Sequence, residues 1–303
     1  MSNKLISTLN LSLPLRNHLG QTEEEFLANY KVGDYERPSN TVDIVLFRPE
    51  IKDNENVRLS PEVDLKILLI RRKDHPCLGQ LALPGGFCNK NESMNESARR
   101  ELEEETNVVD CYMEEVSTYS TPKRDPRTWV VSHSFLAIVP PDAKEVKAGD
   151  DASDALWFSI KRTNINPKQI KIELYNEETN EKIVAIQNLT IEKNGRIEVL
   201  KYSKPKYESE LKCAFDHIEI IADALEKLEK RAYDVAFLEA ALPKEFTLST
   251  MQTVAEILLG KSLVKQNFRT KVAPYLVASG KNEDTRGYRP AQLYKFKNKI
   301  YLC

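Results

Sequence analysis

The residues best suited to chemistry in this sequence are three glutamates in one short segment. Glu101, Glu104 and Glu105 stand at positions i, i+3 and i+4, so a helix places their carboxylates on one face. Like charges this close repel one another unless a cation lies among them. A hard divalent cation such as Mg²⁺ binds carboxylate and phosphate oxygens together, which predicts metal-assisted chemistry on a phosphate compound. The three glutamates alone leave a solvated acidic helix face open as the alternative.

The residues around these glutamates predict a strand, a tight turn and a helix. The apolar run 81–83 enters a Pro-Gly-Gly turn. Ser93 and Glu96 have the spacing of a capping box, which predicts a helix that begins near Met94. Asn107 tolerates a left-handed backbone and is expected to end that helix.

The whole segment resembles the Nudix box, whose pattern is Gly-x5-Glu-x7-Arg-Glu-U-x-Glu-Glu-x-Gly-U, with U an aliphatic residue. The residues that match are Gly86, Glu92, Arg100, Glu101, Leu102, Glu104, Glu105 and Val108. Asn107 replaces the last glycine, and asparagine is the next-best residue for a positive φ. The resemblance implies an α+β fold, in which a Nudix α/β/α sandwich encloses a mixed sheet.

The resemblance also implies an activity and the roles of the box residues. It implies a pyrophosphohydrolase dependent on Mg²⁺ or Mn²⁺, in which water attacks a nucleoside diphosphate linked to another group. By position, the metal-binding and catalytic carboxylates are Glu101, Glu104 and Glu105. Gly86 offers its carbonyl to the metal. The residues expected to brace the loop and helix are Glu92 and Arg100.

Arginines outside the box are candidate substrate ligands, because a guanidinium binds phosphate in a bidentate manner. Arg72 comes at the end of the apolar run 65–70, which predicts a strand, and Arg124 and Arg127 lie in a proline-containing loop. The Arg-Asp-Pro-Arg run of that loop resembles the ADP-ribose-handling branch of the Nudix family, which implies an ADP-ribose-like substrate. A stiff loop with solvated arginines is the alternative.

An acidic loop precedes the apolar run 156–158. Many Nudix enzymes take a further acidic ligand or base from such a loop, which makes Asp151 and Asp154 candidates for that role. A solvated loop is again the alternative.

Composition bounds the class of protein. The 303 residues favour two domains, and 41% hydrophobic with 30% charged residues is ordinary for a soluble protein. The sequence contains no run of 18 apolar residues, so no membrane span is predicted, and no secretion signal is recognised. The five cysteines are odd in number and scattered, which predicts reduced thiols and a cytoplasmic location.

The charge is unevenly distributed along the chain. Residues 244–303 contain eleven Lys or Arg and four Asp or Glu, a net charge of +7. The remaining residues carry a net charge of −9. A basic terminal module on an acidic body predicts a polyanionic partner for that module.

Four segments follow from the periodicity. Residues 1–36 are a polar tail with a short helix after Thr22, and residues 37–210 are the Nudix domain. An insertion at about 167–202 is expected to form two β-hairpins that extend from it. Residues 211–240 are linking helices, with a helix from about Glu210 to Arg231 that could carry a dimer contact. His217 in that helix is interpreted as a structural histidine.

Residues 241–303 predict a winged helix-turn-helix domain. A helix at 248–259 ends at Gly260, a second helix runs from Val264 to about Leu276, and a basic hairpin follows. The candidate DNA-binding residues are Lys265, Arg269, Lys271, Arg286 and Arg289. A helical cap that builds a homodimer is the alternative.

The C-terminal half also resembles the NrtR-type regulators. The motifs that carry this resemblance are Phe215-Asp216-His217, Leu242-Pro243-x-x-Phe246-Thr247-Leu248, Asn267-Phe268-Arg269, Gly287-x-Arg289-Pro290-Ala291 and Leu293-Tyr294. Such regulators join a Nudix domain to a winged helix and sense ADP-ribose-like ligands. Because the chain keeps the carboxylates Glu101, Glu104 and Glu105, the leading hypothesis is a hydrolase of a nucleoside diphosphate sugar or related nucleotide. The rival hypothesis is a regulator that binds operator DNA, and both expect a homodimer.

Overall fold

A computed structural model describes residues 14–52, 61–143, 155–282 and 290–297. The chain divides into one unit up to Pro38 and a second from Ser39 onward. In the first unit, α1 (Glu23–Asn29) begins after Thr22, whose side chain closes a capping box. A 3-10 turn (Val32–Asp34) follows. The short helix expected after Thr22 is confirmed.

The second unit is built on one mixed sheet. In the described ranges its strands are β1 (Ser39–Lys52), β2 (Glu62–Arg71), β3 (Leu81–Ala82), β4 (Gly85–Phe87), β5 (Tyr112–Tyr119), β6 (Val130–Ile138), β7 (Ala155–Asn166), β8 (Gln169–Asn176), β9 (Glu181–Asn194), β10 (Ile197–Tyr202) and β11 (Lys206–Tyr207). The main path runs β10-β9-β8-β7-β2-β1-β6-β5, and β3, β4 and β11 pair with β2, β1 and β9. β1 and β6 are parallel, whereas the other pairs are antiparallel.

Helices cover both faces of this sheet, and a winged helix follows it. The remaining elements are α2 (Met94–Thr106), α3 (His217–Arg231), α4 (Val235–Ala240), α5 (Leu248–Leu259), α6 (Lys265–Val272), a 3-10 turn (Ala273–Tyr275), β12 (Leu276–Asn282) and β13 (Gln292–Phe296). β12 and β13 form an antiparallel hairpin beside α5 and α6. The expected fold class, a Nudix sandwich followed by a winged helix, is confirmed.

β1 contains a continuous apolar run because its two faces pack against two separate hydrophobic cores. Ile44 belongs to a buried cluster that contains Leu102 of α2. Val45 and Phe47 belong to a second cluster, which contains Ile221 of α3. Because successive side chains of a strand point to opposite faces, a strand covered on both faces is apolar at every position. β1 is thus the centre of the α/β/α sandwich.

Two helix boundaries differ from the sequence predictions. α3 begins at His217 and not near Glu210, because the backbone N–H of Ala214 donates to the carbonyl of Leu81 at 2.8 Å and holds the chain extended. α6 ends at Val272 and not near Leu276. The chain passes into the 3-10 turn that contains a proline, and Leu276 is already the first residue of β12.

The stretch 167–202 continues the sheet. β8 pairs with β7, β9 with β8 and β10 with β9, so the expected hairpins are successive strands of the same sheet. The turn predicted at Asn194-Gly195 joins β9 to β10, with Gly195 at φ 62°. The sheet therefore grows outward from β7 by three strands.

Candidate active site

Helix α2 is fixed at both ends by its own sequence. The Ser93 hydroxyl accepts the N–H of Glu96, and the Glu96 carboxylate accepts the N–H of Ser93 at 2.7 Å, which is the predicted capping box. Asn107 closes the helix at φ 58°, as predicted for the residue in the glycine position. Ala98 and Leu102 are buried against the sheet. The helix is therefore held in one rotation about its axis.

That rotation places Glu101 against Gly86. A Cβ atom at Gly86 would lie 2.5 Å from a carboxylate oxygen of Glu101, so the carboxylate occupies the space that any other residue would fill. A guanidinium nitrogen of Arg100 donates to Glu101 at 2.7 Å. Burial raises the pKa of the Glu101 carboxyl, against the lowering effect of Arg100.

Glu105 lies beside the preceding glycine. The backbone N–H of Gly85 donates to the Glu105 carboxylate at 2.7 Å. Burial raises the pKa of Glu105 to about 8, the Gly85 bond opposes this, and repulsion from Glu101 and Asp43 adds to it. Gly85 has φ 151°, and a Cβ there would lie 2.0 Å from the carbonyl oxygen of Val42. The Gly-Gly turn is thus required by two close approaches.

Arg100 is the centre of an ion-pair network on the outer side of α2. Its Nε donates to Glu92 at 2.9 Å, and one nitrogen donates to both Glu101 and Glu104, at 2.7 and 3.0 Å. The hydrogen bond from Arg100 is the main reason why the pKa of Glu92 falls to about 2. The Glu104 side chain is 58% exposed and turns toward this network.

These carboxylates have the chemistry of a hard-cation site. Two partly buried carboxylates, Glu101 and Glu105, contact the Gly-Gly turn, and burial raises the pKa of both. Carboxylate and carbonyl oxygens are the ligands that Mg²⁺ prefers. In the part of the chain that the structure describes, no three acidic, histidine or cysteine side chains already converge as a ligand set. The carboxylate and carbonyl oxygens at this turn therefore suit a divalent cation. Glu104, like Glu101, accepts a hydrogen bond from Arg100.

A cavity of about 190 Å³ opens beside the Gly-Gly turn. Its lining includes Glu105, Arg72, Arg124, Arg127 and Phe215, among others. The structure therefore brings the three predicted substrate arginines to the same cavity as one box glutamate. Phe215, which sequence reasoning did not select as a site residue, has φ 50°, a sparsely populated region for a bulky side chain.

Two of the arginines lie over aromatic rings. The guanidinium of Arg72 is 5.0 Å from the Phe215 ring centroid, and its Nε donates to the carbonyl of Pro76 at 2.8 Å. The guanidinium of Arg127 is 5.2 Å from the ring of Phe87 and pairs with Asp125 at 2.7 Å. The Arg127 side chain is 42% exposed and lines the cavity.

Arg124 is held differently. Its side chain is 5% exposed, and two of its nitrogens donate to Asp216 at 2.9 and 2.5 Å. A third contact, at 3.5 Å, reaches Asp43. The guanidinium is already paired with two carboxylates, so in this arrangement Arg124 joins the loop to the N-terminus of α3.

Asp43 and His217 complete this buried network. The N–H of Leu83 donates to Nδ1 of His217 at 2.9 Å, and Nε2 lies 3.4 Å from an oxygen of Asp43. Burial lowers the pKa of His217, so the ring is neutral. The structural interpretation of His217 agrees with these contacts. Asp43 was not selected from the sequence, although an acidic residue within an apolar strand is a usable signal.

Several candidate residues lie outside the described ranges. They are Asp151, Asp154, Arg286 and Arg289. The described DNA-binding candidates lie on α6, where Lys265 and Arg269 are exposed and Phe268 and Val272 pack inward. Lys271 is exposed as well, but its ammonium donates to the carbonyl of Tyr233 at 2.8 Å. In the described ranges, every helix is too short or too polar to cross a bilayer.

Two protein-family models match this chain. The Nudix domain matches residues 56–177, and the NrtR DNA-binding winged helix domain matches residues 239–296. The chain is 29% identical over 287 residues to the ADPR responsive transcriptional repressor NtrR of Acinetobacter baylyi, covering 92% of this chain and 90% of that protein.

Two further relatives resemble this chain. An ADP-ribose pyrophosphatase of Methanocaldococcus jannaschii is 44% identical over 99 residues, which are 33% of this chain and 57% of that protein. The crystal structure of a MutT/nudix family protein from Enterococcus faecalis has a TM-score of 0.65 and 31% identity, covering 91% of this chain and 94% of that one.

The fold and the box together define a Nudix domain joined to a winged helix. The chain belongs to the MutT/Nudix family, and its C-terminal part is an NrtR-type winged-helix domain.

Proposed function

We propose that the protein is a DNA-binding regulator that responds to an ADP-ribose-like nucleoside diphosphate. The observation that supports this most is the course of α3. Its first residue, His217, lines the cavity beside the Gly-Gly turn, and the body of the helix packs against α5 of the winged helix. A ligand that rearranges the cavity can therefore act on the domain that would hold DNA. The similarity to the repressor of Acinetobacter baylyi extends over both domains.

The proposal assigns separate tasks to separate segments. Residues 37–210 bind the ligand, residues 211–240 link the domains, and residues 241–303 bind DNA. In a winged helix the second helix of the helix-turn-helix enters the major groove. That helix is α6, and its exposed Lys265 and Arg269 are placed to contact DNA.

DNA binding is tested on duplexes that the protein itself selects. The full-length protein is used to select duplexes from a random-sequence pool, and affinity for the selected duplex is measured by fluorescence anisotropy over a range of salt concentrations. Lys265→Ala and Arg269→Ala should each weaken binding and reduce the salt dependence. Lys193→Ala, which removes an exposed lysine from β9, is the matched control. Unchanged affinity in the α6 variants would contradict the assignment.

The ligand response is tested on the same duplex. ADP-ribose should shift the anisotropy titration to weaker binding, and AMP, which lacks the second phosphate and the terminal ribose, is the control. If saturating ADP-ribose leaves the DNA affinity unchanged, the proposed response to this ligand is refuted.

Metal-dependent hydrolysis of a pyrophosphate is a second candidate function. The observation that favours it is the contact of Glu101 with Gly86 and of Glu105 with Gly85, with donor types that suit Mg²⁺ or Mn²⁺. Glu101, Glu105 and the carbonyl of Gly86 would hold the cation, and Glu104 would join them; Glu101 and Glu104 would then exchange their hydrogen bonds from Arg100 for the cation. A bound cation supplies polarisation of the phosphate and activation of water. Arg72 and Arg127 would orient the diphosphate from the cavity wall.

Hydrolysis is tested by the release of AMP from ADP-ribose with and without Mg²⁺. Glu105→Gln should abolish most turnover, whereas Glu103→Gln, on an exposed position of the same helix, should retain it. Saturable ADP-ribose binding with no release of AMP by the wild type would exclude hydrolysis of this substrate and leave the regulator. Equal turnover in Glu105→Gln would refute the assigned role of this glutamate.

A further inference from the structure

A second cavity, of about 500 Å³, lies where the winged helix joins the sheet. Its walls come from β2, β7, α3, α5 and the turn 260–262. It shares no lining residue with the cavity beside the Gly-Gly turn. Its volume is within the range of small-molecule sites.

The floor of this second cavity is apolar. Leu65 of β2, Ile160 of β7, Leu228 of α3 and Leu258 of α5 line it, and each is at most 4% exposed. Four elements thus contribute buried aliphatic side chains to the lining. Such a floor stabilises an apolar ring or chain by removing its surface from water.

Charged side chains surround this floor, and their acids are already engaged. The cations are Lys161, Arg162 and Lys261, and the acids are Glu229 and Glu256. Glu229 accepts a hydrogen bond from Arg162 at 2.8 Å, and Glu256 accepts a backbone N–H at 2.8 Å. The lining side chains carry three positive and two negative charges, a net charge of +1.

Arg162 has an unused donor. One terminal nitrogen donates to Glu229, and the guanidinium lies 5.3 Å from the ring centroid of Tyr202. Its Nε atom is buried and has no hydrogen-bond partner among the described residues. A buried donor without a partner is destabilising. The Arg162 side chain as a whole is 21% exposed, so its guanidinium remains within reach of an anionic oxygen, which it binds well.

We propose that this cavity binds a small organic anion. One carboxylate, sulfonate or phosphate group of the ligand lies at Arg162 and Lys161, and its apolar body lies on the floor. The site is separate from the Nudix cavity and does not depend on the functions proposed above. A ligand here contacts both the sheet and α5, so it stabilises the way the two domains are joined.

The probe is 8-anilinonaphthalene-1-sulfonate, which carries one sulfonate on an apolar aromatic body. The full-length protein is titrated with it, and the fluorescence increase is followed to saturation. We expect saturable binding, in which this cavity holds one probe molecule per chain. Arg162→Gln should weaken that site about tenfold or more, because a charge-assisted hydrogen bond is lost. Thr253→Trp, which fills the cavity from α5, should abolish it.

A control variant locates the probe. Arg196→Gln removes an exposed arginine from the β9–β10 turn and should leave the titration unchanged. Circular dichroism and the Tm establish that each variant is folded. The proposal is refuted if the probe binds Arg162→Gln and Thr253→Trp as tightly as the wild type. It is equally refuted if no saturable binding is found.

Discussion

Replacing Arg124 by methionine should destabilise the protein far more than replacing an exposed arginine. The Arg124 side chain is 5% exposed and is paired with Asp216 at 2.5 Å and with Asp43 at 3.5 Å. These two carboxylates are only 13% and 11% exposed. Their cation is lost in Arg124→Met, and removing one partner of a buried ion pair costs about 3–5 kcal/mol.

A double variant separates the interaction energy of the Arg124–Asp216 pair from the cost of removing the Arg124 guanidinium alone. Asp216→Asn removes the facing charge, so the double variant Arg124→Met/Asp216→Asn leaves less unpaired charge than Arg124→Met. The two changes should therefore be non-additive by about 1–3 kcal/mol. His217 provides a second readout. The charge of Arg124 lowers the pKa of His217, so Arg124→Met should raise it toward the ordinary value.

The free energy of unfolding is measured by urea denaturation at pH 7, and the pKa of His217 by NMR. Lys123→Met is the matched control in the same loop, because it removes an exposed cation next to Arg124. That change should cost about 0.5 kcal/mol or less. Equal losses for Arg124→Met and Lys123→Met would refute the buried network. Full additivity of the double variant would refute the pairing with Asp216.

Three further predictions concern the box. The pKa of Glu92 is about 2, below its ordinary value of 4.5, so this carboxylate stabilises the fold above pH 4.5 and its contribution is lost as the pH falls through 2. Tm measured from pH 5 to pH 2 should fall less steeply in Glu92→Gln than in the wild type, and parallel curves would contradict this. Asn107→Gly should keep full stability, whereas Asn107→Ala should cost about 1 kcal/mol in urea denaturation because φ is positive. Gly85→Ala should cost about 3 kcal/mol, because the new Cβ overlaps the carbonyl of Val42, and an unchanged urea midpoint would disprove this close approach.

Local signals predicted the box and its helix. The capping box at Ser93, the helix start at Met94 and the left-handed end at Asn107 were all readable, because each depends on residues within one turn. A fold built of such elements, together with a family pattern that spans the site, could be anticipated from the sequence.

The pairing partners of the site could not be read in this way. Arg124 and Asp216 are 92 positions apart, and the sequence shows only an arginine in a loop and an aspartate before a helix. Whether a guanidinium faces solvent, substrate or a carboxylate depends on packing that brings the loop to the N-terminus of α3. The start of α3 was misplaced for a related reason, since the bridge to Leu81 comes from a distant segment.

The three strands added beyond β7 decide where the sheet ends. Without them, β7, twelve residues long and buried at Phe158 and Ile160, would present its unpaired backbone to other molecules. Long apolar edge strands promote aggregation. The edge is displaced instead to β10, a six-residue strand that carries Glu198 and Lys201. A shortened protein that lacks residues 167–202 should therefore be less soluble, and protein engineering of this domain should retain them.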